Sequence, residues 1–366
     1  MTMEERQGQK ADLKSMSFDE LAAFTASIGE KPYRTGQLFD WMHCHLAGSF
    51  DEMTSLSKAL RAKLKEEASL QSAEPVQVLT SAKDGTKKYL FRLGDGSVIE
   101  SVMMPYHHGN TVCISSQVGC AMGCRFCAST IGGKVRDLSA GEMLEQVYRI
   151  QALSGERVGG VVVMGTGEPL DNYDALVRFI RLITDSRGLN LSGRSITVST
   201  CGIVPGIRAL AGENLPVTLA LSLHAPTQEK RERLMPIARK YDLQSVLDAC
   251  RDYFETTGRR VTFEYALVEG ENDSAADAAA LARLAGPMGA HVNLIPVNPV
   301  KERNYRRPDR SHVEAFKNNL AKQGINATIR REMGADISGA CGQLRRGYLD
   351  RDRQDPLRPE ETEETI

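Results

Sequence analysis

The chain has 366 residues, 41% apolar and 25% charged, enough to bury a large core and to form more than one domain. Lys and Arg total 46 against 47 Asp and Glu, so a formal charge of -1 names no partner, although a nucleic-acid binder can gather its basic residues on one face. The longest apolar runs, VGGVVVMG and VTLALSL, are too short to cross a bilayer, and MTMEERQGQKADLK has no apolar core for a signal peptide, so a cytoplasmic protein with no membrane contact is expected.

Residues 1–15 read as a polar lead-in. Ser17 and Glu20 have capping-box spacing ahead of LAAFTASIG, with Gly29 as the stop. TGQLFDWMHCHL and SLSKALRAKLKEE continue the helical pattern, and Leu56, Leu60 and Leu64 fall four apart on one face. Residues 1–72 are therefore expected as a small helical accessory domain. PVQVLTSAKDGTKKYLFRLGDGSVIESVMMP then changes period. It predicts short strands joined at Asp84-Gly85 and Asp95-Gly96, a β extension over 73–105.

From about 106 to 348 strands alternate with helices. The strands are TVCISSQ, VGGVVVMG, SITVSTCG, VTLALSLHA, RVTFEYALVEG, HVNLIPVNPV and NATIRRE. AGEMLEQVYRIQALS, YDALVRFIRLIT, EKRERLMPIA, LQSVLDACRDYFETTG, AADAAALARLAGPM and HVEAFKNNLAKQG supply helices between most of them. This alternation predicts an α/β fold of parallel strands with right-handed crossovers, either doubly wound or a partial (β/α) barrel. Both architectures put functional residues at the C-terminal ends of strands. Residues 349–366 lack an apolar pattern and are expected as a mobile tail.

Chemistry-bearing residues gather at those strand ends. Cys120, Cys124 and Cys127 follow the first strand, on a loop expected to enter a helix. Clustered thiols in a reducing compartment point to metal or redox chemistry before structural disulfides. The spacing CAMGCRFC is not the paired CxxC of zinc sites, and no histidine adjoins it. Metal, cluster, redox and buried-thiol readings stay open on spacing alone. Gly165-Thr-Gly-Glu168-Pro169 follows the second strand. It lacks the GKS/T ending of a phosphate loop, but glycines admit close backbone approach and Glu168 can accept from an ammonium group. Ser199, Ser222-Leu223-His224 and Asn298 end later strands. Alone they read as strand ends, a structural histidine and a turn, as Cys341 reads as a small buried hydrophobe.

CxxxCxxC, with Phe126 before the last cysteine, resembles the cluster loop of radical S-adenosylmethionine enzymes. That resemblance implies that the three cysteines hold a [4Fe–4S] cluster whose remaining iron binds S-adenosylmethionine. It makes Gly167 and Glu168 contacts to the methionine amino group, and Ser199, Ser222, Leu223, His224 and Asn298 further cofactor contacts. CISSQVGCAMGCRFCASTIGG, GTGEP, SLHAP, IPVNP and DISGACGQL, in order over roughly 15–348, resemble the RlmN/Cfr family of adenine-C methyltransferases. The fold implied is a partial (β/α)6 radical-SAM barrel with an extra terminal strand, and residues 1–72 resemble that family's RNA-binding domain. By this resemblance Cys341 carries a methyl group to the adenine, Glu100 accepts a proton, and Cys113 resolves the RNA adduct through a transient disulfide with Cys341. The pattern looks more like the RlmN branch, which methylates adenine C2 in 23S rRNA and tRNA, than the Cfr branch, which methylates C8 and confers antibiotic resistance.

An external one-electron reductant such as flavodoxin or ferredoxin is implied, and a monomer is expected. KERNYRRPDR (301–310), the arginines at 330–331 and LRRG (344–347) are candidate phosphate contacts, with Tyr305 able to stack on a base. Two other readings are a radical enzyme acting on a small molecule or protein, and a non-catalytic RNA-binding protein with a structural metal.

Overall fold

A computed structural model describes residues 10–300, 302–337, 344–345 and 347–348. The expected tail at 349–366 and Cys341 lie outside these described residues.

The N-terminal helices are α1 (Phe18–Ser27), α2 (Tyr33–His43) and α3 (Lys58–Glu67), and the strand β1 (Ala11–Asp12) pairs in parallel with β2 (Ala68–Ser69). The capping box at Ser17 is formed: its hydroxyl accepts from the Glu20 amide, and the Glu20 carboxylate accepts from the Ser17 amide at 2.7 Å. Leu60 and Leu64 are buried along α3, as their spacing requires. The polar lead-in is corrected from residue 11 onward. Leu13 and Lys14 are fully buried, and the Lys14 ammonium is paired with Glu145 of the helix α4 (Ala140–Ser154). Burial of Lys14 follows from that carboxylate; charged residues are almost never fully buried without one.

β3 (Glu74–Thr80), β4 (Lys87–Arg92) and β5 (Val98–Tyr106) form antiparallel hairpins at the two expected Asp-Gly turns. They continue the main sheet rather than standing apart from it. β5 pairs antiparallel with β6 (Gly109–Cys113), and β6 pairs in parallel with β9 (Val158–Val163). Between them, β7 (Gln117–Gly119) and β8 (Lys134–Asp137) form a separate hairpin around the cysteine loop.

Parallel pairing then runs from β9 through β10 (Ile196–Thr200), β11 (Thr218–Ser222), β12 (Thr262–Leu267) and β13 (His291–Pro296) to β14 (Ala327–Ile329). Helices α5 (Tyr173–Ile183), α6 (Val204–Gly212), α7 (Gln228–Leu234), α8 (Leu243–Thr257), α9 (Ala275–Ala285) and α10 (Arg310–Lys322) lie in the crossovers. The result is the strand order of the expected partial (β/α)6 barrel: β6 and β9–β13 as six parallel strands, with β14 beyond them. Val161, Val198, Leu219, Phe263 and Val292 are fully buried under Met143, Phe179, Val246 and Tyr253 of the helices. That layer fixes the strand ends from which the site loops rise.

Candidate active site

The cysteine loop is pinned at its base. Gly119 has φ +77°, and a Cβ there would fall 2.0 Å from the Gly133 carbonyl, so only glycine fits. The Cys120 amide donates to the same carbonyl at 3.1 Å, and the Thr130 hydroxyl donates to the carbonyls of Cys124 and Cys127. The loop enters a short 3-10 turn at Ala128–Thr130 and then β8, not the expected helix, because Gly132 and Gly133 both take positive φ.

Cys120 is buried, Cys124 and Cys127 half-buried, and Cys124 and Phe126 pack against Cys201, Leu234 and Met235. Burial pushes the Cys120 thiol up to about 11, with Cys127 and Glu168 adding to the effect. Burial and the neighbouring Cys127 and Cys120 push Cys124 well above the usual thiol range. The three thiols therefore sense one another's charge. Among the described residues no three Cys, His or carboxylate side chains are already gathered to hold a metal ion.

The GTGEP segment leads from β9 into α5 and is stitched to the ISSQ segment that leads from β6 into β7. Ser116 and Gln117 amides donate to the Thr166 carbonyl, the Thr166 amide donates to the Ser115 hydroxyl, and the Glu168 amide donates to the Gln117 side chain at 2.9 Å. Gly167 sits at φ +114°, and a Cβ there would fall 2.7 Å from Gln117 Cβ and Ser116 Oγ. Glu168 is 3% exposed. Its Oε1 accepts from the Leu170 amide at 3.0 Å and its Oε2 from the Cys201 amide at 2.7 Å. Burial raises its pKa, opposed by those backbone donors.

Across the barrel mouth, the hydroxyls of Ser199 and Ser222 lie 3.2 Å apart and Leu223 is fully buried. His224 takes φ +55°, uncommon outside glycine, with its carbonyl held by the Asn272 amide at 2.7 Å. Its Nδ1 accepts from the Ala266 amide at 2.9 Å, which fixes the neutral ring with its proton on Nε2. Burial lowers its pKa to about 3, so the ring stays uncharged. The ring meets Phe126 edge-to-face at 4.9 Å, joining the cysteine loop to the fourth barrel strand. Asn298 is half-buried after β13.

Glu100 and Cys113 occupy adjacent strands. Cys113 is paired with Val102, two residues from Glu100, so both side chains rise from one face of the sheet. Glu100 is 2% exposed; its Oε2 lies 3.5 Å from the fully buried Lys88 ammonium and accepts from the Arg345 amide at 3.1 Å. Leu344 packs on Leu90 and Val98 of the same face, and Met333 joins Val102, Met104 and Cys113. After β14 the chain is tied at Gly334 and Asp336 to the β3–β4 turn, so it passes from one edge of the sheet to the other. Residues three and four positions beyond Cys341 thus lie beside Glu100. No disulfide forms among the described residues, and Cys341, the partner that the resemblance gives Cys113, lies outside them.

A cavity of about 600 Å³ opens beside the cysteine loop, lined by Arg125, Glu269, Glu271, Arg303, Tyr305 and Arg306 among others. The half-buried Tyr305 packs against the same Cys201, Ala225, Leu234 and Met235 cluster as Met122 and Phe126, and Arg303 donates to the Thr130 hydroxyl at 3.4 Å.

Residues 114–282 match the radical SAM superfamily, and residues 11–70 match the ribosomal RNA large subunit methyltransferase N-terminal domain. A crystal structure of a radical SAM methyltransferase from Sphaerobacter thermophilus superposes with a TM-score of 0.88 at 44% identity, covering 92% of this chain and 99% of that one. The probable dual-specificity RNA methyltransferase RlmN of Lachnospira eligens is 61% identical over 339 residues, 93% of this chain and 97% of its own. That of Lachnoclostridium phytofermentans is 59% identical over 343 residues, 94% and 96% of the two chains. The chain belongs to the RlmN family.

Within this RlmN-family site, three participants escaped the sequence reading. Gln117 bridges the two site loops, accepting from Glu168 and donating to Asp137 and Asp171 at 2.7 and 2.9 Å. Lys88 neutralises Glu100 from within the core. Arg231 lies fully buried on α7, whose Leu234 carbonyl accepts from the Arg125 amide of the cysteine loop. A glutamine after a strand, a lysine in a KK pair and an arginine in a charged helix carry no local signal of such placement.

Proposed function

We propose that this RlmN-family chain methylates C2 of adenine in 23S rRNA and in tRNA, as a radical S-adenosylmethionine enzyme. One geometric observation carries the reading: Glu100, Cys113 and the segment following Cys341 share one face of the barrel sheet. The relatives' dual-specificity RNA methyltransferase names support the RNA substrates.

Cys120, Cys124 and Cys127 would hold a [4Fe–4S] cluster, which supplies the single electron that cleaves S-adenosylmethionine. The residues fit that group. Three soft thiols share one eight-residue loop in an apolar surround, and the nearest other donors are engaged: Cys201 against Glu168, and His224 Nδ1 with Ala266. Three ligands leave one position for the cofactor. Gly167 lets the backbone approach, and Glu168 accepts from the methionine ammonium. Ser199, Ser222, Leu223, His224 and Asn298 line the remainder of the cofactor's bed. Cys341 carries the methyl group and Glu100 takes the proton from the ring carbon. The Cys113 thiolate then attacks the Cys341 sulfur, so that an S–S bond forms as the bond from that sulfur to the transferred methylene breaks. The methylene keeps the electron pair and takes up a proton to become the methyl group. Direct methyl transfer to C2 is poor because that carbon is electrophilic and offers no lone pair, which explains the need for a cysteine carrier and a base.

Arg125, Arg303, Arg306 and Tyr305, which line the cavity together with Glu269, Glu271 and Glu302, are its candidate RNA contacts: guanidinium groups suit phosphates, and the tyrosine ring offers a stacking surface. The N-terminal module adds RNA contacts, a soluble one-electron donor reduces the centre, and the enzyme works as a monomer in the cytoplasm.

Nucleoside mass spectrometry of rRNA and tRNA from cells with and without the gene tests this. C2-methyladenosine appearing with the gene is expected. C8-methyladenosine would assign the Cfr chemistry, and neither product would refute the activity.

A further inference from the structure

We propose that Arg231 is the buried countercharge of the three-cysteine centre, a positioning residue that makes the group held there easier to reduce. The inference rests on the reading that Cys120, Cys124 and Cys127 hold a [4Fe–4S] cluster.

Arg231 sits in the middle of α7, directly after the SLHAP segment, and is fully buried. One end of its guanidinium, Nη2, donates to the Cys201 carbonyl. A Cβ at Gly202 would lie 3.2 Å from that nitrogen, so the strand end is shaped to admit it. Nε and Nη1 are buried with no hydrogen-bond partner. The other charged side chains of α7 are occupied elsewhere: Lys230 pairs with Asp277 at 2.6 Å, Arg233 with Glu229 at 3.6 Å, and Glu232 accepts from Gln228. Among the described residues no carboxylate forms an ion pair with Arg231.

An isolated cation in such a place costs several kcal/mol of desolvation, so a fold that keeps one supplies an anion. Burial lowers the Arg231 pKa, and the acidic groups that oppose this are the thiols of Cys201, Cys124 and Cys250. Cys201 and Cys250 are both buried, which pushes their thiols up, so neither is suited to ionise. Cys124 is a predicted ligand. Its loop is fastened to α7 itself: the Arg125 amide donates to the Leu234 carbonyl at 2.9 Å, and Cys124 packs on Leu234 and Met235. Helix, arginine and ligand loop therefore form one unit.

Three thiolates outweigh the positive charge of an oxidised cluster core, and an added electron makes the assembly more negative still. A fixed guanidinium beneath it favours the reduced form, because net charge and burial set such potentials. The guanidinium also contributes a fixed charge without a titration of its own in the physiological range.

Anaerobically reconstituted wild type, Arg231→Lys and Arg231→Met are to be compared by iron and sulfide content, by EPR-monitored redox titration, and by thermal unfolding with and without the cluster. Arg231→Met is expected to shift the midpoint potential to a more negative value at equal iron content, while Arg231→Lys stays near wild type. Without the cluster, Arg231→Met is expected to unfold no earlier than wild type, since it removes an unpaired charge; cluster loading should stabilise it less. An unchanged midpoint in a fully loaded Met variant would overturn the proposal. So would a Met variant that fails to fold without iron, which makes Arg231 a strut for Cys201. A wild-type chain that takes up no iron would overturn the underlying cluster reading instead, and this one with it.

Discussion

Replacing Glu168 by glutamine separates its two tasks. Both carboxylate oxygens are engaged with backbone donors, Leu170 at 3.0 Å and Cys201 at 2.7 Å, in a position 3% exposed to solvent. Glutamine keeps one acceptor and turns an NH2 group toward the other donor. One buried N–H then loses its partner, costing about 1–3 kcal/mol of stability. The charge that would meet the methionine ammonium is lost as well, and a hydrogen bond to a charged group contributes about 1.5–3 kcal/mol. At about 1.4 kcal/mol per decade, S-adenosylmethionine should bind roughly 10- to 150-fold more weakly. Equilibrium dialysis with labelled cofactor on the reconstituted Glu168→Gln variant measures this, with iron content as the control. Wild-type affinity at full iron content would refute the ammonium contact. Loss of the iron itself would make Glu168 a support for the cysteine loop.

Gly167→Ala should cost about 1–3 kcal/mol from the backbone at φ +114° and a comparable penalty from the contacts with Gln117 and Ser116, read as a lower unfolding temperature with cofactor binding abolished. Lys14→Met leaves Glu145 buried with Arg149, 3.6 Å away, as its remaining ion-pair partner among the described residues, and should destabilise by about 3 kcal/mol in urea unfolding; adding Glu145→Met should recover most of it. His43 is buried with its pKa lowered to about 3 by burial and then by Lys14. The unfolded chain therefore takes its proton first, so stability present above pH 6.5 should fall toward pH 3 by about 1.4 kcal/mol per unit. His43→Asn should flatten that slope relative to wild type. Tyr305→Ala should weaken RNA binding by about 1–3 kcal/mol in a filter-binding assay while cofactor affinity is unchanged; equal RNA affinity would move the docking site elsewhere.

Much of this architecture was legible because the barrel strands are short apolar runs bounded by glycine, and because strand ends are where α/β folds collect function. The helix α6 was missed: nine residues carrying Pro205, Gly206 and Gly212 look like a turn, and only packing against α8 makes them a helix. The cysteine loop was found by spacing, yet its path into β8 depends on two successive glycines that pattern reading treats as mere flexibility. Lys14 and Arg231 were invisible for a shared reason. A charged residue is assigned to the surface unless its partner is known, and both partners lie far along the chain, at Glu145 and at the cysteine loop. The acid, the thiol and the lysine of the Glu100 face come from three strands whose register no local pattern specifies.

The Lys14–Glu145 pair has a consequence for how this protein can be varied. It locks the N-terminal module to α4 at a point dry on both sides, with the Gly141 amide donating to Ser15 at 2.7 Å and His43 meeting Tyr148 at 2.9 Å nearby. A module exchanged between two relatives as a cassette would bring one half of each contact and strand the other. Inheritance of the two parts is therefore expected to be joint, and chimaeras should succeed only when the crossover carries the matching face of α4 with it.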